Sequence, residues 1–270
     1  MPRAPIDLRL AGGALGALLL VVGLSSGFVL QSYEQHTAPV AATPAPSTPT
    51  PGASTPADTP TPAPEPEPAP PAPPEAINQA GSLEVVVNKQ RPLDPIDHAP
   101  ADLVTPTELP NPSSEQLRPE AAAALVELAA DAQRQGLTLS LTSGYRSFAE
   151  QQAVYDQQVA SKGQEQADLV SARPGHSEHQ TGLAVDLARV DGQCTLAPCF
   201  GKTPEGRWLA ENAWRHGYLL RYPDDLTPVV GYAYEPWHFR YIGTELAAEL
   251  HQQGIRTLEE YYQLPAAPNY

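Results

Sequence analysis

Two short stretches hold the residues best suited to chemistry. The first is His176-Ser-Glu-His179-Gln-Thr-Gly-Leu-Ala-Val-Asp186, where a loop feeds a strand of small and apolar residues. Side chains alternate along a strand, so Ala184, Asp186 and Ala188 share one face while Leu183, Val185 and Leu187 share the other. A carboxylate buried there needs an arginine or a metal beside it, and Asp186 alone fits either. The second stretch, Tyr234-Glu235-Pro-Trp-His238, sets a carboxylate and an imidazole three residues apart at the start of another strand. Together His179, Asp186 and His238 make two imidazoles and one carboxylate, a common catalytic zinc set that leaves a fourth position for water. Glu235 then has no metal to bind, and its natural role is general base beside that water. The plainer alternative is a hydrogen-bonded sheet histidine at His238 with Glu235 on the surface. His176 competes with His179 as a ligand. His216 is expected in the last turn of a helix, where it suits the dipole, and His251 on a solvated helix face.

The pattern Ser177-x-His179-x-x-Gly182-x-Ala184-x-Asp186, with Glu235-Pro-Trp-His238 downstream and Ser143-Gly-Tyr-Arg146-Ser upstream, resembles the VanY-type D-alanyl-D-alanine carboxypeptidases. Val87-Asn-Lys-Gln-Arg-Pro-Leu93, Trp208-Leu-Ala-Glu-Asn-Ala213 and Arg221-Tyr-Pro223 belong to the same likeness. The resemblance implies one zinc ion on His179, Asp186 and His238, Glu235 as base, and Arg146 stabilising charge in the transition state. It also implies substrate contacts from Ser177 and Gln151, and removal of the terminal D-alanine from a peptidoglycan stem peptide. Related dipeptidases and endopeptidases share the metal pattern, so it fixes chemistry more tightly than substrate. L,D-carboxypeptidase or endopeptidase action stays open, as does a non-catalytic wall-binding module. Glu235 speaks against the last, because a structural zinc is closed by a fourth ligand and needs no base.

These residues require elements to position them, and the pattern reads as an α+β domain over residues 83–270, a small antiparallel or mixed sheet flanked by helices. Leu83 to Val87 reads as a first strand. A helix is expected from Arg118 to Gln135, with Pro119 in its first turn and Gly136 ending it. Leu137 to Thr142 alternates as a strand, and Ser147-Phe-Ala-Glu150 has the capping-box pattern that opens a helix to about Ser161. Further strands are expected at Leu183 to Ala188, Tyr218 to Tyr222 and Trp237 to Tyr241. Helices are expected from Thr203-Pro204 to Gly217, from Thr244 to Gly254, and from Thr257. Cys194 and Cys199 are the only cysteines, and their close spacing in an exported chain reads as a disulfide staple rather than a metal pair.

Upstream of the domain, Leu10 to Leu30 carries no charge and is long enough to cross a hydrocarbon core about 30 Å thick as a helix. Arg3 and Arg9 precede it, which puts residues 1–9 in the cytoplasm and the remainder outside. The expected arrangement is a single membrane anchor at residues 10–30, with secretion after signal cleavage near Val40-Ala41-Ala42 as the alternative. Residues 31–82 are rich in Pro, Ala and Thr with few large apolar side chains, and read as an extended linker. A net charge of -15 without a Lys/Arg cluster argues against nucleic acid as a partner.

Overall fold

Short alternating segments and well-capped helices set the architecture of the carboxy-terminal part of the chain. The computed structural model describes residues 72–270. The expected cytoplasmic segment, the Leu10 to Leu30 span and most of the linker lie outside the described residues, and no helix among the described ones is long and apolar enough to cross a membrane.

The first helix, α1 (Pro119–Arg134), has Pro119 at its start and buries Ala121, Leu125, Leu128 and Ala132 at helical spacing. Strand β1 (Leu139–Ser143) follows, then α2 (Phe148–Lys162), where Ser147 and Glu150 form a capping box. After α3 (Gln164–Val170) come β2 (Ala184–Arg189), α4 (Pro204–Asn212, capped by the Thr203 side chain) and β3 (Tyr218–Leu220). The chain ends with α5 (Thr227–Val230), β4 (His238–Tyr241), α6 (Thr244–Gln253) and α7 (Leu258–Tyr261). The four strands form one sheet in the order β1-β2-β4-β3, and each neighbouring pair is antiparallel.

One sheet face carries Leu139, Leu141, Val185, Leu187 and Phe239 and packs on Leu125 and Leu128 of α1. Each such fully buried side chain contributes about 1.5–3 kcal/mol. The expected alternation along β2 holds: Val185 and Leu187 join this core while Asp186 does not. Asp186 therefore stands on the sheet face away from α1.

Two expectations change. Leu83 to Val87 does not form a strand; it runs as turns into an isolated bridge between Asn88 and Arg91. Its carbonyls are taken by a side chain instead of a ladder, since Arg240 Nη2 donates to Leu83 O at 3.0 Å and Val85 O at 2.9 Å. Second, packing begins before residue 83. A 3-10 turn at Glu75–Asn78 buries Ile77 against Val86, Ile242, Leu250 and Tyr262. The low-complexity composition upstream conceals this single apolar anchor.

Candidate metal centre

Strand register assembles the site. Across β2 and β4 Asp186 stands opposite His238, and across β1 and β2 Ser143 stands opposite Asp186. Cβ atoms of such facing residues lie about 4.5–5.5 Å apart, so three side chains from distant positions form one row. His179 arrives from a 3-10 turn at Glu178–Thr181, closed by Gly182 in the left-handed conformation with φ of 68°. The left-handed conformation favours glycine there, and a Cβ would also sit 2.9 Å from Leu103 Cδ2, so that side chain would have to move. The result places His179 Nε2 3.2 Å from Asp186 Oδ2 and His238 Nδ1 3.1 Å from Asp186 Oδ1. One ligand atom from each residue lies within 4.8 Å of the others. Tetrahedral donors about 2.1 Å from zinc are about 3.4 Å apart, so the set fits that ion.

Each imidazole is aimed by its other nitrogen. His179 Nδ1 is 2.7 Å from Gly144 O, which fixes the proton there and leaves Nε2 to bind. His238 Nε2 is 3.1 Å from Glu178 Oε2, which leaves Nδ1 facing Asp186. Burial lowers the His179 pKa, which favours the neutral, ligating form. Burial also opposes charge on His238, but its bonds to Asp186 and Glu178 outweigh that and raise it to about 9 in the metal-free protein. Burial resists ionisation of Asp186 as well, and the two imidazoles more than offset it, holding the carboxyl well below the usual range.

Glu178 is the functional residue that sequence reasoning missed. It is buried, and its carboxylate accepts from Arg221 Nε at 2.8 Å and Arg240 Nη1 at 3.2 Å as well as from His238. Arg221 turns its other two nitrogens to Glu259 at 2.9 and 2.7 Å, and Asn88 Nδ2 donates to Glu259 at 2.9 Å. Two guanidinium groups thus face two carboxylates in the interior, which is how such charges survive burial. The available clue was two arginines, Arg221 and Arg240, set in otherwise apolar and aromatic strand segments.

Glu235 and His238 are joined by a tight turn, with His238 N donating to Glu235 O at 3.0 Å and Pro236 at the second turn position. Glu235 and the three candidate ligands line one cleft of about 310 Å³. Burial raises the Glu235 pKa to about 8; His238 and Arg146 pull it down, while Asp186 and Glu178 push it up. Arg146 lines the same cleft, held by Gln151 Oε1 at 2.9 Å and Ser143 Oγ at 2.7 Å. Gln151 is buried behind it, its amide nitrogen donating to Ala172 O at 2.7 Å. Ser177 is buried at the cleft wall.

The other histidines fall elsewhere. His176 Nδ1 meets Asn88 O at 2.9 Å and its ring packs edge-on to Tyr270, outside the ligand set. His216 pairs with Asp131 at 3.2 Å. His251 is exposed on α6, as expected, and its ring stacks on Trp214 with centroids 4.0 Å apart. Cys194 and Cys199 form the expected disulfide.

Comparison with known proteins gives the family. The family model described as VanY, D-alanyl-D-alanine carboxypeptidase, matches residues 114–244. YodJ of Bacillus subtilis (strain 168), which carries a carboxypeptidase name, is 39% identical over 193 residues, covering 70% of each chain. This chain belongs to the VanY family. Among solved structures, the LdcB LD-carboxypeptidase is 38% identical with a TM-score of 0.63, covering 68% of this chain and 87% of that one. A variant of the vancomycin-resistance D,D-pentapeptidase VanY, solved with Zn(II), is 33% identical with a TM-score of 0.56, covering 68% of this chain and 99% of that one. The family is one of zinc metallopeptidases, and the chain is an enzyme of that kind.

Proposed function

We propose that this protein hydrolyses the last peptide bond of peptidoglycan stem peptides and releases D-alanine, using one zinc ion on His179 Nε2, Asp186 and His238 Nδ1. The observation that carries the reading is the convergence of a complete three-donor set with a separate carboxyl, Glu235, in the same cleft. When bound, the zinc supplies Lewis acidity, polarising the scissile carbonyl and making water a stronger acid. Glu235 takes the proton of the attacking water and delivers it to the leaving amine. Arg146 faces the negative charge that grows on the carbonyl oxygen, a contribution of about 3–4 kcal/mol for a fixed donor of this type. Ser143 and Gln151 hold that guanidinium in place before substrate arrives, and Ser177 is placed to touch the peptide. Glu178 holds the His238 ring in its ligating orientation.

A D-Ala-D-Ala terminus is the preferred substrate in this reading, by similarity to the VanY family. L,D-carboxypeptidase action on a tetrapeptide is the second reading, favoured by the higher TM-score of the LdcB likeness, 0.63 against 0.56. Mass analysis of products from defined penta- and tetrapeptides separates the two: loss of one alanine from only the pentapeptide supports the first, and from only the tetrapeptide the second. No release from either defeats both. We place the enzyme outside the cytoplasm on a membrane anchor at Leu10 to Leu30, a placement supported by the apolar span and by the Cys194–Cys199 disulfide. Fractionation that finds only soluble protein with a new N-terminus near Thr43 would replace the anchor with a cleaved signal.

A further inference from the structure

The motif Val87 to Leu93 reaches the back of the cleft through Lys89. That side chain is 3% exposed, and lysine is rarely buried so fully without partners. Carbonyls and rings hold its ammonium: it donates to Gly231 O at 2.5 Å and Pro268 O at 3.2 Å, and lies 4.9 Å and 5.5 Å from the ring centres of Tyr232 and Tyr270. Lys89 thus seats the segment Ala267 to Tyr270 behind the turn that ends α5. Ala267 is fully buried there with its N–H on Val229 O at 2.8 Å, and Gln90 Nε2 donates to Asn269 O. The fit is close, since Gly231 has φ of 84° and a Cβ on it would run into Ala267 O and the Lys89 side chain.

This segment sets Tyr270 behind two walls of the cleft, one made by Ser171 and Ala172 and the other by Tyr232 and Ala233. The Tyr270 hydroxyl accepts from Arg173 N at 2.7 Å and shares a hydrogen bond with the Tyr232 hydroxyl at 3.1 Å. Its ring is fixed as well: the Arg173 guanidinium, paired with Asp168 at 2.9 Å, lies 4.1 Å from the ring centre, and His176 packs edge-on at 5.0 Å. Ala233 N donates to Leu169 O at 3.0 Å, so the walls are joined once through the backbone and again through Tyr270. Each wall leads to a different half of the reactive site. Ala172 O and Ser171 Oγ accept from the Gln151 amide at 2.7 and 3.3 Å, and Gln151 holds Arg146. Tyr232 packs on Tyr222 with centroids 4.8 Å apart, and Tyr222 stacks on the ligand His238 at 4.7 Å.

We propose that Tyr270 is a positioning residue: its hydroxyl locks the two walls together and so sets the place of Arg146 relative to the metal ligands. It touches neither the ligands nor the cleft-facing end of Arg146, and acts through Tyr232 on one side and through Arg173, Ala172 and Gln151 on the other. Loosening this link lets the guanidinium drift from the carbonyl oxygen it must face, and small misplacements of such groups are costly in rate. The inference rests on the carboxypeptidase reading for the role of Arg146, while the order it imposes on that side chain is measurable without turnover.

The experiment uses the zinc-loaded full chain and whichever of the defined penta- or tetrapeptides it cleaves. Tyr270→Phe keeps the ring and removes only the hydroxyl, so it should retain a full equivalent of zinc while kcat falls about tenfold and KM changes less than about twofold. Tyr232→Phe breaks the same link from the other side; it should give a similar loss, and the double variant no more than either alone. In an Arg146→Ala background, Tyr270→Phe should change the rate less than about twofold, because the group it positions is gone. Ile77→Ala weakens a cluster that does not line the cleft, and should leave kcat per folded molecule unchanged. The second readout is the NMR signal of Arg146 Nε–H, assigned by its loss in Arg146→Ala, which should broaden in Tyr270→Phe and stay unchanged in Ile77→Ala. An unchanged kcat in Tyr270→Phe, or an equal loss with and without Arg146, overturns the proposal. If the unaltered enzyme cleaves neither peptide, the carboxypeptidase reading fails and the Arg146 signal decides alone: broadening supports the positioning role, and an unmoved signal defeats it.

Discussion

Replacing Glu178 with glutamine should weaken zinc binding as well as the fold, and the two effects are separable. In the folded protein the Glu178 carboxylate opposes Arg221 and Arg240, with Glu259 as the second buried anion. The substitution leaves two guanidinium groups facing one carboxylate. Breaking a buried pair from one side costs about 3–5 kcal/mol. The lower end applies here, because glutamine keeps one acceptor oxygen and Arg221 keeps both bonds to Glu259. The zinc-free variant should therefore lose about 3 kcal/mol in urea unfolding. Zinc adds a second loss. Glu178 Oε2 lies 3.1 Å from His238 Nε2 and fixes which nitrogen faces the metal, and removal of such a partner lowers metal affinity about 10- to 100-fold. At a fixed saturating concentration of free zinc, that factor removes a further ~1.4–2.7 kcal/mol of stabilisation. The zinc-loaded variant should thus be destabilised by about 4–6 kcal/mol, more than the zinc-free one. Unfolding curves in chelator and in buffered zinc, with chelator competition for the zinc Kd, provide the measurement. An equal loss in both conditions, with an unchanged Kd, would show that Glu178 supports only the fold and refute the positioning argument.

Glu235→Gln should keep a full equivalent of zinc while single-turnover hydrolysis slows about 100- to 10,000-fold, and Arg146→Ala should also keep zinc with a loss of about 100- to 1,000-fold; loss of zinc by Glu235→Gln would make Glu235 a ligand. In the zinc-free protein His238 titrates at about 9, so below that pH zinc must displace its proton, and the apparent affinity should rise about tenfold per pH unit between pH 6 and 8. A pH-independent Kd would contradict the assigned orientation. The Glu259 pKa is lowered in the folded protein: burial resists ionisation, but Arg221 and Asn88 more than offset it. Its contribution is therefore complete above the ordinary carboxylate value and lost as pH falls through the folded value. The stability gap between the unaltered protein and Glu259→Gln should be about 3–5 kcal/mol near neutrality and smaller at pH 3, as urea titrations at each pH would show. Ile77→Ala should cost about 2–5 kcal/mol, and a chain begun at Ser82 should be less stable by at least as much; an unchanged urea midpoint in both would remove Ile77 from the core.

What the sequence determined by itself was the part that depends on short-range pattern. Period-two alternation puts Asp186 on the opposite strand face from Val185 and Leu187, and the capping residues Ser147 and Thr203 open helices where they were expected. Of the groups at the reactive end of the cleft, His179, His238, Asp186, Glu235 and Arg146 were readable as candidates from residue type and spacing, whereas the third carboxylate, Glu178, was not. Tertiary structure decided what depends on long-range compensation. A glutamate beside a ligand histidine looks like a loop residue until Arg221, Arg240 and Glu259 fold around it, because charge burial is settled by partners and not by neighbours in the chain. That Gln151 also holds Arg146, and is itself held by Ala172 O, could be read only from the fold, since these partners are set by side-chain packing in the cleft. The apolar run from Leu83 to Val87 had the pattern of a strand, but a ladder also needs free acceptors, and the Arg240 side chain occupies two of its carbonyls. The row Ser143, Asp186, His238 exists only because antiparallel pairing sets these residues opposite one another, and a slip of one residue would turn each side chain to the other face.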